Sequence, residues 1–342
     1  MKNMKTVLVT GGLGYIGSHT VVELMEQGQK VVIVDNLCNS SIQIVNQIEE
    51  IVGEKPVFYE LDLLNISKLK EVFDKEKIDA VIHFAAHLLV NESVENPLKY
   101  YRNNLVSLMN LLQVMDESKV NKLIFSSSCT VYGNPTQFPV TEDTPIAKAI
   151  SPYGSTKIMG EQIIEDTVHS SPNLKSVLLR YFNPVGAHDS GKIGELSLGK
   201  PSHLFPIISR ALDSNSPFKV FGNDYPTPDG TPIRDYIHVQ DLASAHVAAL
   251  SKMDGSESRL SSFNIGTGIG LSVMEIIREF EKVSKKKLEV TIEKRREGDV
   301  EKIWADPSRA KKELDWSPRF SLQEMVSSCL AWEEFCGSRE WN

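Results

Sequence analysis

The chain opens with an apolar run, three glycines at a spacing of three, and a helical pattern. Thr6–Thr10 has the pattern of a short buried strand, and Gly11, Gly14 and Gly17 follow it. The helical pattern that starts among these glycines continues to Gly28, a residue that suits a helix end. Glycines here permit a tight turn and a close approach to a ligand, at a helix N-terminus that favours negative charge. The feature predicts a strand, turn and helix with an anion site at the turn.

The first half of the chain repeats this alternation of short apolar runs and helical segments. Strand-like runs lie at residues 31–34, 57–61, 80–84, 123–126 and 177–181, and the helical segments between them include 67–75 and 97–118. Strands that alternate with helices need crossover connections, which produce a parallel sheet covered on both faces. The pattern predicts an α/β fold with a doubly wound Rossmann-type parallel sheet.

The composition of the chain changes after about Phe182. Residues 183–206 and 223–232 are rich in Gly, Ser and Pro and are predicted to be loops. The apolar runs at 237–239 and 263–265 are candidates to return to the large sheet. We expect a Rossmann domain over residues 1–182, with returns near 236–250 and 262–266, and a smaller C-terminal α/β substrate domain over residues 183–342.

Charge and cysteine usage exclude several classes of function. The formal net charge of 37 − 45 = −8 argues against a nucleic-acid or anionic-membrane binder. The four cysteines form no C-x-x-C pair and no histidine cluster lies near them, so we expect free thiols, a reducing compartment and no metal site. Neither a signal peptide nor the ~18 apolar residues of a membrane helix are found, which predicts a cytoplasmic protein.

A carboxylate at the end of the second strand indicates which dinucleotide the glycine turn holds. Asp35 lies 18 residues past Gly17, where it can accept hydrogen bonds from the adenosine ribose hydroxyls and would repel a 2′-phosphate. No arginine follows Asp35 closely, so the sequence favours NAD over NADP. Asp62, at the end of the third strand, is a candidate for the adenine side; the alternative is a helix cap for the segment that starts near Asn65.

Tyr153 and Lys157 are the candidate acid–base pair. They lie four residues apart just after Pro152, a residue that suits a helix start, so both side chains lie on one helix face. A free tyrosine has a pKa near ~10, too high for a base at neutral pH. A neighbouring ammonium and a cationic nicotinamide each favour the phenolate, by about 1–3 pKa units. The pair therefore predicts removal of a proton from an alcohol beside the nicotinamide.

Hydroxyl side chains follow the strand at 123–126. This position is at the carboxyl edge of the predicted sheet, where ligands bind. Ser128 and Thr130 are the candidates to hydrogen-bond a substrate oxygen that changes between alcohol and ketone. The alternative for either hydroxyl is an ordinary cap or strand-end hydrogen bond.

With these motifs the chain resembles the extended short-chain dehydrogenase/reductase family, and within it the branch that epimerises UDP-hexoses at C4. The resemblance spans nearly the whole chain and rests on residues 9–19, 35–40, 81–86, 126–133, 151–154, 180–188, 221–225, 229–239 and 295–299. It implies a cytoplasmic NAD-dependent isomerase that interconverts UDP-glucose and UDP-galactose. It also implies a homodimer paired through the helices at 97–118 and 153–168.

The resemblance further implies a reaction course and a set of contacts. NAD would take the hydride from C4 while Tyr153 takes the proton of the 4-hydroxyl, and the 4-keto sugar would turn over and receive the hydride on its other face. Lys157 would lower the pKa of Tyr153 and bind the nicotinamide ribose. The implied cofactor contacts are Gly11, Gly14, Tyr15, Ile16, Gly17, Asp35, Asn36, Asn39, Ser40, Asp62, Leu63, Phe84, Ala85, Ala86, Asn103, Ser128, Tyr153, Lys157 and Phe182. The implied substrate contacts are Asn183, His203, Leu204, Phe221, Arg234, Arg296, Asp299 and Ile303.

The chain departs from the family pattern at several of these positions. Leu88 replaces a usual lysine near the cofactor phosphates, Cys129 replaces a common alanine beside Ser128, and His203 replaces an asparagine. Ile303 stands where tyrosine is usual in enzymes limited to glucose and galactose, and where smaller residues occur in enzymes that accept N-acetylated sugars. Ile is smaller than Tyr but stiff and β-branched. A UDP-N-acetylglucosamine 4-epimerase, or one of dual specificity, is therefore the alternative.

Three readings outside this branch are weaker. A nucleotide-sugar 4,6-dehydratase needs acidic residues beside the Ser/Thr, and Cys129 and Thr130 occupy those positions. A dehydrogenase would release NADH, which an epimerase does not. A non-catalytic NAD-binding sensor would have no need of Tyr153, Lys157 and Ser128, which are all present.

Overall fold

The computed structural model of the protein describes residues 5–199, 201–296 and 299–341. Its strands are β1 Thr6–Thr10, β2 Lys30–Asp35, β3 Val57–Glu60, β4 Ala80–His83, β5 Lys122–Ser128, β6 Lys175–Tyr181, β7 Asn183–Val185, β8 Phe218–Phe221, β9 Ile233–His238, β10 Leu260–Ile265, β11 Gly270–Ser272, β12 Val290–Glu293 and β13 Lys302–Ile303. Its α-helices are α1 Tyr15–Glu26, α2 Gln43–Val52, α3 Ile66–Glu76, α4 Val90–Glu95, α5 Pro97–Glu117, α6 Pro152–Ser170, α7 Leu204–Ser214, α8 Val239–Lys252, α9 Val273–Ser284, α10 Ser308–Leu314 and α11 Leu322–Gly337, with a 3-10 turn at Cys129–Tyr132.

The large sheet has seven parallel strands in the order β10-β6-β5-β4-β1-β2-β3. From β1 the chain winds outward through β2 and β3, then returns to β4 and winds the other way through β5 and β6. The direction reverses between β1 and β4, so the carboxyl ends of these strands border a crevice. The predicted doubly wound fold is confirmed.

Both faces of this sheet are covered, as the continuous apolar strands require. Val7 and Val9 point into a core shared with α1 and α8, whereas Leu8 points into the opposite core shared with α5 and α6. All three side chains are fully buried, and each such burial is worth about 1.5–3 kcal/mol. The two cores hold the sheet rigid, and thereby the turns at its carboxyl edge.

A smaller second lobe carries its own sheets and core. β9 pairs with β7, β11 and β13, and β8 pairs with β12. Phe205 from α7 and Phe280 from α9 lie in one core with Val326 from α11. The predicted C-terminal α/β lobe is confirmed.

Two expectations for this half of the chain need correction. The run at 237–239 was expected in the large sheet, but β9 ends at His238 within the smaller sheet, and the helix that follows, α8, packs on α1. The segment 183–206, predicted to be loop, contains β7 and the start of α7. A short apolar run does not reveal which strand it pairs with, because pairing depends on tertiary contacts. The run at 263–265 does lie in the large sheet, beside β6.

Candidate active site

The glycine turn joins β1 to α1 at the crevice. Gly11 has a φ of +69°, and a Cβ there would lie 2.8 Å from the amide nitrogen of Ala85. A Cβ on Gly17 would lie 2.1 Å from the carbonyl oxygen of Gly11, so neither position has room for a side chain. Gly14 precedes α1 and has no side chain to cap it, so the first N–H groups of α1 remain available to a ligand. This turn suits a pyrophosphate.

Asp35 ends β2 beside this turn and is nearly buried. Its carboxylate accepts hydrogen bonds from the Leu13 amide at 3.1 Å, the Leu37 amide at 3.0 Å and the Ser40 hydroxyl at 2.8 Å. A carboxylate has about four lone-pair sites, so at least one remains for a ribose hydroxyl. Ser40, a predicted contact, thus orients Asp35.

Asp62 lies exposed next to Asn36, whose amide donates to it at 3.2 Å. The alternative role as a helix cap does not apply, because α3 is capped by Asn65, whose side chain accepts the amide of Lys68. Asp62 instead accepts the amide of Leu64 at 2.8 Å, within a turn. Asn36 and Asp62 therefore lie together at the end of the crevice where the adenine is predicted.

The remaining predicted cofactor contacts are spread around the same crevice. Phe84, Ala85 and Ala86 follow β4, and the backbone of the first two lies against Gly11. Of three other predicted contacts, two form hydrogen bonds within the protein and one packs against the core. Tyr15 donates to the carbonyl of Gly186 at 2.6 Å, Asn103 donates to Asn104 at 3.0 Å, and Ile16 packs against the core. The side chain of Leu63 is buried in the core, Phe182 is buried in one cluster with Ile303, and Asn39 is exposed.

The predicted catalytic side chains meet where β5, the 3-10 turn and α6 converge. Ser128 is the last residue of β5, so the strand runs further than predicted. Tyr153 and Lys157 lie on the first turns of α6, which begins at Pro152 and is capped by Ser151. The Lys157 ammonium donates to the Ser126 carbonyl at 2.7 Å and lies 5.8 Å from the centroid of the Tyr153 ring.

Two hydroxyls at this point are suited to a ligand oxygen. Ser128 lies within hydrogen-bonding reach of the Tyr153 hydroxyl, and its own oxygen accepts the Thr130 amide at 3.2 Å. The Thr130 hydroxyl is buried and has no hydrogen-bond partner within the ranges that the structure describes. A buried hydroxyl without a partner costs about 1–3 kcal/mol, which a substrate oxygen would offset.

The electrostatics of the pair differ from the expectation for Tyr153. Burial raises the pKa of Tyr153 well above its usual value, Tyr181 raises it further, and the hydrogen bond from Ser128 opposes them. Burial lowers the pKa of Lys157 to about 8, and Glu161 opposes this change. Lys157 is therefore charged at pH 7, whereas Tyr153 keeps its proton in the protein alone. Burial thus sets the direction of the Tyr153 shift, so the expected lower pKa of Tyr153 depends on charge brought by a ligand.

The predicted substrate side is formed by the second lobe. Arg234 on β9 donates to the Asp299 carboxylate, and the Arg296 guanidinium lies 3.9 Å from the centroid of the Phe221 ring. Ile303 is the register partner of Arg234 and is buried in a cluster that includes Cys129. Ile303 and its register partner Arg234 therefore lie near Cys129, which follows the predicted catalytic residue Ser128. The motif 295–299 also contains Glu297 and Gly298, which lie outside the described residues.

His203, Leu204 and Asn183 are placed differently. His203 lies exposed at the N-cap of α7, and its ring pairs with the Glu195 carboxylate. Partial desolvation of this half-exposed ring acts to lower the pKa of His203, but the Glu195 charge and hydrogen bond outweigh it and raise that pKa. Leu204 packs against the core of the second lobe, and Asn183 begins β7. Whether these three contact a substrate stays a prediction.

Known proteins that are similar to this chain in sequence and fold are nucleotide-sugar enzymes. The profile of the family described as GDP-mannose 4,6 dehydratase matches residues 8–329. The chain is 50% identical over 329 residues to the UDP-glucose 4-epimerase of Bacillus subtilis, with 96% of each chain covered. It is 48% identical over 330 residues to the UDP-glucose 4-epimerase of Yersinia enterocolitica, covering 96% of this chain and 97% of the relative.

The chain belongs to the UDP-glucose 4-epimerase family. Solved structures that are similar to this chain belong to the same family. The UDP-glucose 4-epimerase of Stenotrophomonas maltophila, with NAD and formylated UDP-arabinopyranose, superposes with a TM-score of 0.95 at 44% identity, covering 98% of this chain and 99% of that one. The epimerase of Bifidobacterium longum, with NAD+ and UDP, has a TM-score of 0.93 at 44% identity, covering 96% and 98%.

Sequence reasoning missed the buried ion pair that anchors α6, the helix that carries the predicted catalytic residues of this epimerase-family chain. Glu161, one turn past Lys157, accepts from Arg180 of β6 at 2.9 and 2.7 Å, and both side chains are nearly fully buried. Arg180 also donates to the Tyr132 hydroxyl at 3.1 Å, and the Ser127 hydroxyl donates to Glu161. The i, i+4 spacing of Lys157 and Glu161 was the available signal. Its partner on β6 could be found only in the fold.

No helix in the part of the chain that the structure describes is long and apolar enough to cross a membrane.

Proposed function

We propose that the chain catalyses the reversible 4-epimerisation of UDP-glucose and UDP-galactose through a 4-keto intermediate, with NAD as cofactor. The enzyme is an isomerase of the UDP-glucose 4-epimerase family. The observation that carries the proposal is the meeting of Ser128, Thr130, Tyr153 and Lys157 at the end of β5, in the same parallel sheet whose β1 leads into the glycine turn.

The residues of the crevice fit NAD. The turn at Gly11 and Gly17 has no room for side chains, the start of α1 is uncapped, and Asp35 retains acceptor capacity for a ribose. Bound NAD would supply the acceptor and donor of the hydride that leaves and rejoins C4 of the sugar. We propose that residues 1–182, with returns near 236–250 and 262–266, hold this cofactor, and that residues 183–342 hold the UDP-sugar.

In this mechanism Tyr153 moves the proton. As the phenolate, which the charge of bound NAD would favour, its oxygen would accept the proton of the sugar 4-hydroxyl and later return it, so one group serves as base and then as acid. The charged ammonium of Lys157, held by the Ser126 carbonyl, favours the phenolate form of Tyr153. Ser128 and Thr130 would hydrogen-bond the 4-oxygen in both its alcohol and ketone forms.

The second lobe would hold the nucleotide while the sugar turns over. Arg234 and Arg296 are the cationic partners for a diphosphate on a chain of net charge −8, and guanidinium groups bind phosphates bidentately. Phe221 offers a ring to the nucleotide on the same side. A firm nucleotide contact with a loosely held hexose suits a reaction in which the hexose presents both faces.

Turnover of four UDP-sugars without added NAD tests both the function and its breadth. We expect interconversion of UDP-glucose and UDP-galactose by the purified protein, because the crevice is built to retain NAD. We also expect turnover of the two N-acetyl sugars, because Ile303 is smaller than tyrosine. This turnover should be slower than that of UDP-glucose and UDP-galactose, because isoleucine is stiff and β-branched. Ile303→Tyr is the matched variant, and it should lose the N-acetyl activity selectively.

Absence of glucose and galactose turnover, even with NAD added, would overturn the proposed function. Absence of N-acetyl turnover alone would remove only the broader specificity. Relatives of both kinds have been solved: the UDP-Glc/GlcNAc 4-epimerase of Campylobacter jejuni superposes with a TM-score of 0.84 at 37% identity, covering 97% of this chain and 100% of that one.

We also propose a cytoplasmic homodimer. Exposed apolar side chains lie on the adjacent helices α5 and α6, with Leu98 79% exposed and Met109 and Met159 each 45% exposed. Exposed apolar patches of this kind mark association surfaces. The cytoplasmic location is supported by the free thiols of Cys38, Cys129, Cys329 and Cys336.

If the chain is a dimer through α5 and α6, charged substitutions on these helices should reduce its mass in solution to that of a monomer. Analytical ultracentrifugation should give a dimer for the wild type and a monomer for the double variant Met109→Glu/Met159→Glu. Ile292→Glu is the control, because Ile292 is an equally exposed apolar residue on β12, and it should leave the dimer intact. A monomeric wild type would refute the proposal.

A further inference from the structure

Two loops of the second lobe run side by side because the strands before them are paired. β8 and β12 are parallel with Phe221 opposite Glu293, and the Gly222 amide continues the ladder by donating to the Glu293 carbonyl at 2.9 Å. The chain leaves β8 toward Asp224 and Tyr225, and leaves β12 toward Arg295 and Arg296. The predicted nucleotide contacts Phe221 and Arg296 thus lie at the roots of these two loops.

Three side chains bind the loops to each other. The Arg295 guanidinium donates to the Asp224 carboxylate at 2.7 Å and also to the Asp224 backbone carbonyl. The same guanidinium lies 4.0 Å from the centroid of the Tyr225 ring. A Cβ on Gly222 would lie 2.6 Å from that ring and 2.8 Å from the Arg295 side chain. The loops are therefore in close contact, and a glycine at their root is required.

The contacts of this cluster show how it bears on the site. Arg296 follows Arg295 directly, so a fixed Arg295 determines where Arg296 leaves the backbone and lies on Phe221. Tyr225 is 5% exposed, and its hydroxyl has no hydrogen-bond partner within the described ranges. Burial and then the Asp299 charge raise the pKa of Tyr225. The cluster thus adjoins Arg296, one of the two predicted phosphate-binding arginines.

We propose that Asp224, Tyr225 and Arg295 form a clasp that positions Phe221 and Arg296 for the nucleotide, and that Arg295 acts through this clasp instead of binding phosphate itself. The inference rests on the proposed function, since it concerns the UDP part of the same substrate. Arg295 is thus a positioning residue whose guanidinium is already engaged by Asp224 and the Tyr225 ring.

The variant Asp224→Asn distinguishes positioning by the clasp from a direct effect of the Asp224 charge on UDP binding. Removal of a carboxylate near an anion site should, by charge alone, tighten the binding of UDP. The clasp predicts the opposite sign: UDP affinity, measured by calorimetry on the full protein, should fall about threefold to fivefold, the range expected for an exposed ion pair. Arg295→Ala should weaken UDP about tenfold, because the ring contact is lost as well. The double variant should bind like Arg295→Ala.

Kinetics supply a second readout. Both single variants should raise KM for the UDP-hexose and change kcat by less than about twofold, since no group at C4 is touched. Asp213→Asn is the matched control: Asp213 is an exposed carboxylate on α7 paired with Lys286, and its removal should leave UDP affinity unchanged.

The outcomes are distinct. Asp224→Asn binding UDP as tightly as the wild type, or more tightly, would overturn the clasp. A fall in UDP affinity in Arg295→Ala but not in Asp224→Asn would also overturn the clasp, and it would make Arg295 a direct phosphate ligand. A wild type that does not bind UDP would refute the proposed function, and the clasp with it, before any variant is compared.

Discussion

Tyr153→Phe should lower kcat for UDP-hexose epimerisation by about 10²- to 10⁴-fold, the usual contribution of a positioned acid–base group. The variant removes only the hydroxyl oxygen that receives the sugar proton. The ring is 8% exposed and keeps its place above Lys157, so the fold and the affinity for UDP should not change. Steady-state kinetics and UDP calorimetry on the same preparation measure both quantities.

Tyr59→Phe is the control for this result. Tyr59 lies on β3, and its hydroxyl donates to Glu76 at 2.6 Å, away from the predicted catalytic residues. It should keep full kcat although it too loses a tyrosine hydroxyl. Turnover of Tyr153→Phe within about twofold of wild type would be incompatible with the role given to Tyr153.

Glu161→Ala should lower the free energy of unfolding by about 3–5 kcal/mol, because it leaves the charge of Arg180 buried without its partner. The two side chains are 4% and 6% exposed, so water cannot replace the lost carboxylate. The pair joins the catalytic helix α6 to β6, and through Tyr132 to Asn264 on β10. Urea unfolding of wild type and variant measures the difference.

The double variant Glu161→Leu/Arg180→Met tests the cause of that loss. With both charges removed no ion is left buried, so much of the stability lost in Glu161→Ala should return. If the double variant is as unstable as Glu161→Ala, lost packing and not an unpaired charge is responsible. A Glu161→Ala protein within about 1 kcal/mol of wild type would contradict the prediction outright.

The catalytic helix shows what local patterns predict well. Tyr153, Lys157 and Glu161 follow the i, i+4 spacing, which places them on one face of any helix, whatever its surroundings. The carboxyl-edge position of Ser128 follows equally from chain order, since a turn after a parallel strand must lie at that edge. The helix face and the strand-end position both depend only on residues that are close together in the chain.

Other features depend on residues far apart in the chain. The strand at 233–238 pairs in the smaller sheet and not in the large one, which no local pattern reveals. The pKa of Tyr153 rises and does not fall, because burial disfavours its charged form and Tyr181 adds to the rise. The contact between Arg295 and Asp224 joins residues 71 positions apart. Each is decided by which segments the folded chain brings together.

The sequence by itself determined the doubly wound sheet, the glycine turn and the face of α6 that carries Tyr153 and Lys157. These follow from periodicity, glycine spacing and strand order, which are properties of neighbouring residues. Only the tertiary structure decided that Glu161 is neutralised by Arg180, that Tyr153 is desolvated, and that Asp224 and Arg295 join two loops beside Phe221. Burial and charge pairing depend on distances across the fold, and those distances exist only after distant segments of the chain have packed together.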